Sequence, residues 1–128
     1  MRKTYAYISL LSVVLLSVIV YLAYNQQPDE ITAQLARQNV KDEKYDFIVD
    51  VRTQKEWDEG HLPNTISIPI GNLVTELPER IPDKNARILF VCKKGIRASA
   101  VVVIAHKLGY KNVQAMIGNY KELIHQTI

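Results

Sequence analysis

The fold of this chain is decided by residues 87–99, which read RILFVCKKGIRAS. The apolar run that ends at Cys92 predicts a buried β-strand. Gly95 predicts a sharp turn directly after it. The apolar residues from about Ala98 to Leu108 then predict a helix, which Gly109 ends as a C-terminal glycine should. The stretch therefore predicts a strand, a tight turn that carries the chain's only cysteine, and a helix.

Short apolar runs recur on both sides of this stretch, separated by turns. The further predicted strands cover residues 46–51, 65–69 and 113–116, and the further predicted domain helices begin near residues 53, 72 and 120, the last reaching about residue 126. Thr53 and Glu56 have the spacing of a capping box, and Asn72 is expected to cap its helix. Alternating strands and helices predict an α/β fold whose mostly parallel sheet is flanked by helices.

Composition narrows the class of protein. The chain has 128 residues, 48% of them hydrophobic and 23% charged, with a net charge of +3. These values are typical of a folded domain, not of a disordered chain. No basic stripe with interleaved aromatic residues occurs, so nucleic acid is not an expected partner. One cysteine excludes an intramolecular disulfide and a cysteine-built metal site, and we expect neither a metal nor another cofactor.

The N-terminus predicts a membrane anchor over residues 1–24. Residues 4–24 carry no charge, and a span of about 20 residues matches a bilayer core. Tyrosines lie near both ends, from Tyr5 to Tyr24, as at membrane interfaces. Arg2 and Lys3 favour an inside N-terminus, which would place the domain on the extracytoplasmic side, periplasmic or at the cell surface. The alternative is a secretory signal, but Tyr21 stands where a cleavage site needs a small residue.

The residues that follow are expected to connect this anchor to the domain. We expect a linker and a short helix over residues 25–41, and the domain itself over residues 42–128. Pro28 fits the first turn of a helix, and Asp29 and Glu30 favour its positive end. The pattern does not decide whether this short helix belongs to the domain.

The cysteine loop has the features of an anion-binding nucleophile. Ligands bind beyond the carboxyl ends of parallel strands, which is where Cys92 lies. The thiolate is the reactive form of cysteine, and a helix N-terminus, a glycine turn and nearby cations all favour an anion. The expected binding residues are those of the loop, Lys93, Lys94, Gly95, Ile96 and Arg97. The planar fork of Arg97 can hold two oxygens of an oxyanion. The alternative is that Cys92 is only a small core residue.

Arg52 is a second candidate, because it follows another predicted strand. In one interpretation it lies near the pocket mouth and helps to attract anions. In the other it pairs with an acid as a structural brace, while Asp50 accepts backbone N–H groups. Both interpretations stay open at this stage.

Several spaced motifs in order give the chain a family resemblance. They are Asp50-Val51-Arg52, Glu56-Trp57, Glu59-Gly60-His61-Leu62, Ile68-Pro69, Cys92 to Arg97, and Leu108-Gly109-Tyr110. Residues 47–123 resemble a single-domain rhodanese, a thiosulfate sulfurtransferase, and in particular the small periplasmic rhodaneses of the phage-shock type. The resemblance implies a sulfane sulfur carried as a persulfide on Cys92. It also implies a small anionic sulfur donor and a cyanide or thiol acceptor.

The length of the cysteine loop distinguishes a sulfurtransferase from a phosphatase of the same fold. Phosphatases of the rhodanese-like fold have five residues between cysteine and arginine, and here four residues separate Cys92 from Arg97. The loop therefore resembles that of a sulfurtransferase. Ala98 departs from the family, since many relatives have serine there. A non-catalytic module that binds a partner and is tethered to the membrane remains the alternative function.

Overall fold

The structure is a computed structural model that describes residues 1–24 and 29–123. Its helices are α1 (Arg2–Tyr24), α2 (Ala33–Lys41), α3 (Gln54–Asp58), α4 (Leu73–Arg80) and α5 (Ile96–Lys107). Its strands are β1 (Glu30–Thr32), β2 (Phe47–Asp50), β3 (Ile66–Ser67), β4 (Ile88–Val91) and β5 (Val113–Ile117), and short 3-10 turns cover Ile70–Asn72 and Tyr120–Leu123. The predicted helix from 120 begins as a 3-10 turn, and its end lies outside the described residues.

The strands form one parallel sheet in the order β1-β5-β4-β2-β3. The strand that ends at the cysteine, β4, lies in the middle, between β2 and β5. Parallel neighbours need crossover connections, and helices supply them here. The prediction of an α/β fold with a parallel sheet flanked by helices is confirmed.

Helices cover both faces of the sheet, which is why β4 is apolar at every position. On one face, Ile88, Phe90 and Cys92 belong to a core that also contains buried residues of α4 and α5. On the other face, Leu89 and Val91 pack in a second core with residues of α2 and the last 3-10 turn. Successive side chains of a strand point to opposite faces, so a strand between two cores shows no polar alternation. Cys92 continues the Ile88–Phe90 face.

The described residues that precede β2 pack against the sheet. Residues 30–32 are extended and form β1, which pairs with β5, so the helix begins only at Ala33. Ile31 and Ala36 are buried in the second core. Residues 30–41, which the sequence assigns to a linker and a short helix, therefore contribute an edge strand and a helix that bury apolar surface against the sheet.

Local capping accounts for several element ends. The capping box of α3 is formed as predicted, since Thr53 accepts from the Glu56 N–H and Glu56 accepts from the Thr53 N–H. Asn72 does not cap α4, contrary to expectation, because its side chain donates to the Glu76 carboxylate four residues on. Asn64 has a φ of 58°, the left-handed conformation that asparagine tolerates better than most residues.

The N-terminal helix α1 has no buried residue. It is long and apolar enough to cross a membrane, and a signal sequence at the same place would meet the same criterion.

Candidate active site

Cys92 lies directly after β4, at the carboxyl edge of the sheet, and only 1% of it is exposed. Its Sγ accepts a hydrogen bond from the backbone N–H of Gly95 at 2.9 Å. The thiol therefore has a donor aimed at it, and an N–H directed at sulfur stabilises negative charge there. Burial agrees with a core role as well, but a core role does not require this donor.

Gly95 makes this contact because of its backbone conformation. Its φ is +93°, in the left-handed region, and it caps the N-terminus of α5. A Cβ at this position would lie 2.9 Å from the Cα of Ile117 and 3.0 Å from the carbonyl oxygen of Met116. Both are backbone atoms of β5, which cannot move aside cheaply. The loop needs glycine for conformation and for space.

The turn also brings α5 to the thiol. The helix begins at Ile96, two residues earlier than predicted, because Gly95 completes the turn. The first N–H groups of a helix have no intrahelical partner and carry partial positive charge. Ala98, Val101 and Ala105 are fully buried and hold the helix against the sheet. The N-terminus of α5 is therefore fixed beside Cys92, as the sequence predicts.

Arg97 forms a pair that the sequence does not predict. Its Nη1 and Nη2 atoms donate to the two carboxylate oxygens of Glu56 at 2.6 and 3.0 Å. The expected use of this fork was to hold two oxygens of a substrate. The hydrogen bonds from Arg97 lower the pKa of Glu56 to about 2, and the same bonds raise the pKa of Arg97. Since the carboxylate pKa is depressed, Glu56 is ionised throughout the neutral range.

Arg52 is held by Asp50, so the brace interpretation describes its contacts. The Nε and Nη2 atoms of Arg52 donate to the Asp50 carboxylate at 2.8–3.0 Å, and the two residues are 4% and 1% exposed. Nη2 also donates to the Gly60 carbonyl. The ring of Tyr120 covers the guanidinium at 3.8 Å, a cation–π contact. The Tyr120 N–H donates to the carbonyl of Cys92, which ties this cluster to the loop.

A cleft of about 250 Å³ lies between this cluster and the loop. Its charged lining residues are Arg52, Glu56, Glu59, Lys93 and Lys121. The structure thus brings Arg52 and Lys93 together at the cleft. The other predicted site residues do not line it; Lys94 and Ile96 are exposed, and Cys92 and Gly95 are buried. Among the described residues, neither Lys93 nor Lys94 forms an ion pair, so both cations are available to an anion.

Sequence reasoning missed Glu56 and Tyr120 as parts of this site. Glu56 stands in the capping box and in the Glu56-Trp57 motif, so its presence was visible, but its pairing with Arg97 across 41 positions was not. His61 is a turn residue that contacts the backbone: its ring stacks on Trp57 and its Nδ1 lies 2.9 Å from the Trp57 carbonyl oxygen.

Comparison with known proteins gives one family. The profile of the family described as "Rhodanese-like domain" matches residues 32–126. The mitochondrial thiosulfate sulfurtransferase RDL2 of Saccharomyces cerevisiae is 31% identical over 87 residues, which cover 59% of this chain and 58% of that protein. The thiosulfate sulfurtransferase PspE of Escherichia coli is 26% identical over 66 residues, covering 52% of this chain and 64% of that protein.

Solved structures agree on the fold. The human single-domain sulfurtransferase TSTD1 superposes with a TM-score of 0.68 at 21% identity, covering 80% of this chain and 100% of that one. The rhodanese-like domain of the Anabaena protein Alr3790 also gives a TM-score of 0.68, at 19% identity, and covers 77% of this chain and 74% of that one. At these identities the likeness shows the fold alone.

Replacing Gly95 by alanine tests the loop. Because a Cβ would meet the backbone of Ile117 at 2.9 Å, we expect Gly95→Ala to lower the free energy of unfolding by about 2 kcal/mol or more. Gly71→Ala is the matched control: nothing lies within 4 Å of its Cβ, so its effect should stay within about 0.5 kcal/mol. Denaturant unfolding of both variants measures the difference. Equal effects would contradict the close approach at Gly95.

Proposed function

Because the chain belongs to the rhodanese-like domain family, we propose that it is a sulfurtransferase in which Cys92 carries sulfane sulfur as a persulfide. One observation carries the proposal: the buried Cys92 sulfur accepts the Gly95 N–H at 2.9 Å, inside a cationic loop at a helix N-terminus. Such an arrangement suits a sulfur atom that must hold negative charge before and after each transfer.

The reaction takes two displacement steps. The Cys92 thiolate attacks the outer sulfur of thiosulfate, the S–S bond of the donor breaks, and sulfite leaves with the bonding electron pair. Cys92 then carries a persulfide anion. An acceptor nucleophile, cyanide or a thiolate, attacks the terminal sulfur of that persulfide and leaves with it, which restores the Cys92 thiolate. With cyanide the product is thiocyanate, and no external oxidant or reductant is needed in either step.

The loop residues divide the remaining tasks. The N–H of Gly95 stabilises the charge on sulfur, and the N–H groups at Ile96 and Arg97 begin a helix whose positive end faces the anions. Lys93 and Lys94 are exposed and attract the anionic donor. Arg52 forms part of the cleft wall, where Asp50 holds its guanidinium in a fixed position.

Two other functions are less well supported. A phosphatase would need a loop that holds a tetrahedral phosphate, and the loop here is one residue shorter than in the phosphatases of this fold. A binding module that lacks catalysis would have no need of an amide donor aimed at a buried thiol. The exchange of sulfur at Cys92 distinguishes all three.

The thiol itself is tested by substitution and by mass. Cys92→Ser should lower the rate of thiocyanate formation from thiosulfate and cyanide by at least about 1,000-fold, since the nucleophile is gone. Intact-protein mass spectrometry of the unaltered chain after thiosulfate treatment should show the gain of one sulfur, and the variant should show none. Equal rates in the two proteins would refute the proposal. Activity on aryl phosphates without persulfide would favour the phosphatase.

The two exposed lysines are tested by the kinetic parameter that they should change. Lys93→Gln with Lys94→Gln should raise the KM for thiosulfate about fivefold at low salt and less at high salt, with kcat nearly unchanged, because they act by long-range attraction. Lys107→Gln, an exposed lysine in the last turn of α5, is the matched control and should leave KM unchanged. A similar rise in KM for the control would show that only net charge matters.

We also propose that α1 is retained as a membrane anchor with the domain on the extracytoplasmic side. The support is its length of 23 residues, its complete exposure and the cations Arg2 and Lys3 in its first turn. Tyr21 at the position where cleavage needs a small residue supports retention over removal.

This placement is tested on the full chain expressed in bacterial cells. The protein should keep its full mass, stay with the membranes after alkaline carbonate washing, and be degraded by external protease in spheroplasts. A product that lacks the first 24 residues or so would identify a signal sequence instead. Protection in spheroplasts with degradation in inverted vesicles would reverse the orientation.

A further inference from the structure

Glu56 holds the only arginine of the cysteine loop in a two-pronged pair. Each terminal nitrogen of Arg97 donates to a different oxygen of Glu56, and the two side chains are 31% and 28% exposed. Glu56 is fixed from the other side as well, because the Thr53 hydroxyl donates to its Oε1 at 3.2 Å. The pair is therefore placed by the start of α3, not by the loop alone.

This pair changes what the loop offers to an anion. The prongs of the guanidinium that face Glu56 cannot face two oxygens of an oxyanion at the same time. The pair also carries no net charge. Arg97 is the second residue of α5, and the Gly95 turn fixes the N-terminus of α5 beside Cys92. A freed Arg97 would thus lie where an anion beside Cys92 could use it.

We propose that Glu56 is a positioning residue that sets the anion selectivity of the loop by keeping Arg97 occupied. With Arg97 engaged, the loop binds a donor dianion weakly enough to release sulfite after each transfer, and it binds other tetrahedral dianions poorly. This inference rests on the proposed sulfur transfer at Cys92 for its account of sulfite release, whereas its statement about dianion binding is independent of that transfer.

The test compares Glu56→Gln with the unaltered full chain in detergent micelles. Glutamine at this position preserves a capping box, so α3 should form, while the negative charge that faces Arg97 is removed. The probe is inorganic sulfate, and we expect its dissociation constant to fall about fivefold or more in the variant, because a released guanidinium is a strong oxyanion ligand. In steady-state assays the KM for thiosulfate and kcat should both fall, since the dianionic product leaves more slowly.

Two control variants separate this effect from general electrostatics and from structure. Glu59→Gln removes one negative charge from the same cleft without touching the pair, and it should change the sulfate dissociation constant by less than about twofold. Adding Arg97→Gln to Glu56→Gln should abolish the gain, because the gain belongs to Arg97. If Glu56→Gln fails to fold, Glu56→Asp replaces it, and its shorter side chain should release the fork in part and give a smaller gain.

The outcomes keep the two proposals apart. Unchanged or weaker sulfate binding by a folded Glu56 variant overturns the selectivity role and leaves a purely structural pair, whatever the persulfide assay shows. An equal gain in Glu59→Gln also overturns it. Tighter sulfate binding in Glu56→Gln, combined with no persulfide on the unaltered chain, would leave the selectivity role standing while sulfur transfer at Cys92 fails.

Discussion

The close approach of Gly95 to the backbone of β5 is the constraint on which the rest of the site depends. A Cβ at this position would be 2.9 Å from the Cα of Ile117, so only glycine allows the loop to fold down onto the neighbouring strand. This close approach directs the Gly95 amide at the Cys92 sulfur, and α5 then begins at Ile96. The direction of α5, and with it much of one core, follows from a single left-handed residue.

Charge around the thiol is divided between fixed and available groups. Both arginines near the loop are engaged by carboxylates, Arg52 by Asp50 and Arg97 by Glu56. The lysines of the loop are exposed and, among the described residues, unpaired. Each of these arginines has its own counter-ion, so the two pairs add almost no net charge to the region around the thiol. The lysines then determine how strongly an anion is attracted, and attraction by exposed lysines is sensitive to salt.

Local signals in the sequence predicted the central part of this structure well. The apolar run of β4, the glycine turn and the capping box at Thr53 each depend on a few neighbouring residues, and all are present. The position of Cys92 at the carboxyl edge followed from the alternation of strands and helices. Propensity and hydrophobic pattern suffice where the determinants are close in sequence.

The features that the sequence did not predict join residues that are far apart in the chain. Residues 30–32 carry acidic flanks that suit a helix start, yet they form a strand because β5 offers an open edge far away along the chain. The Arg97–Glu56 pair spans 41 positions, and Tyr120 reaches the Arg52 guanidinium from near the end of the chain. Pairings of this kind depend on the finished fold.

The register of β1 has a consequence for which molecules can meet the thiol. Glu30 is level with Ala115, and Ala115 with Phe90 two residues before Cys92. Since neighbouring strands lie about 4.8 Å apart, the chain enters the sheet roughly 12 Å from the thiol. The five residues between Tyr24 and Glu30 add at most about 20 Å. With α1 in a bilayer, the sulfur would be confined to a thin layer over the membrane. An acceptor held in that membrane would meet it at an effective concentration on the order of millimolar, and a dissolved acceptor only at its bulk concentration.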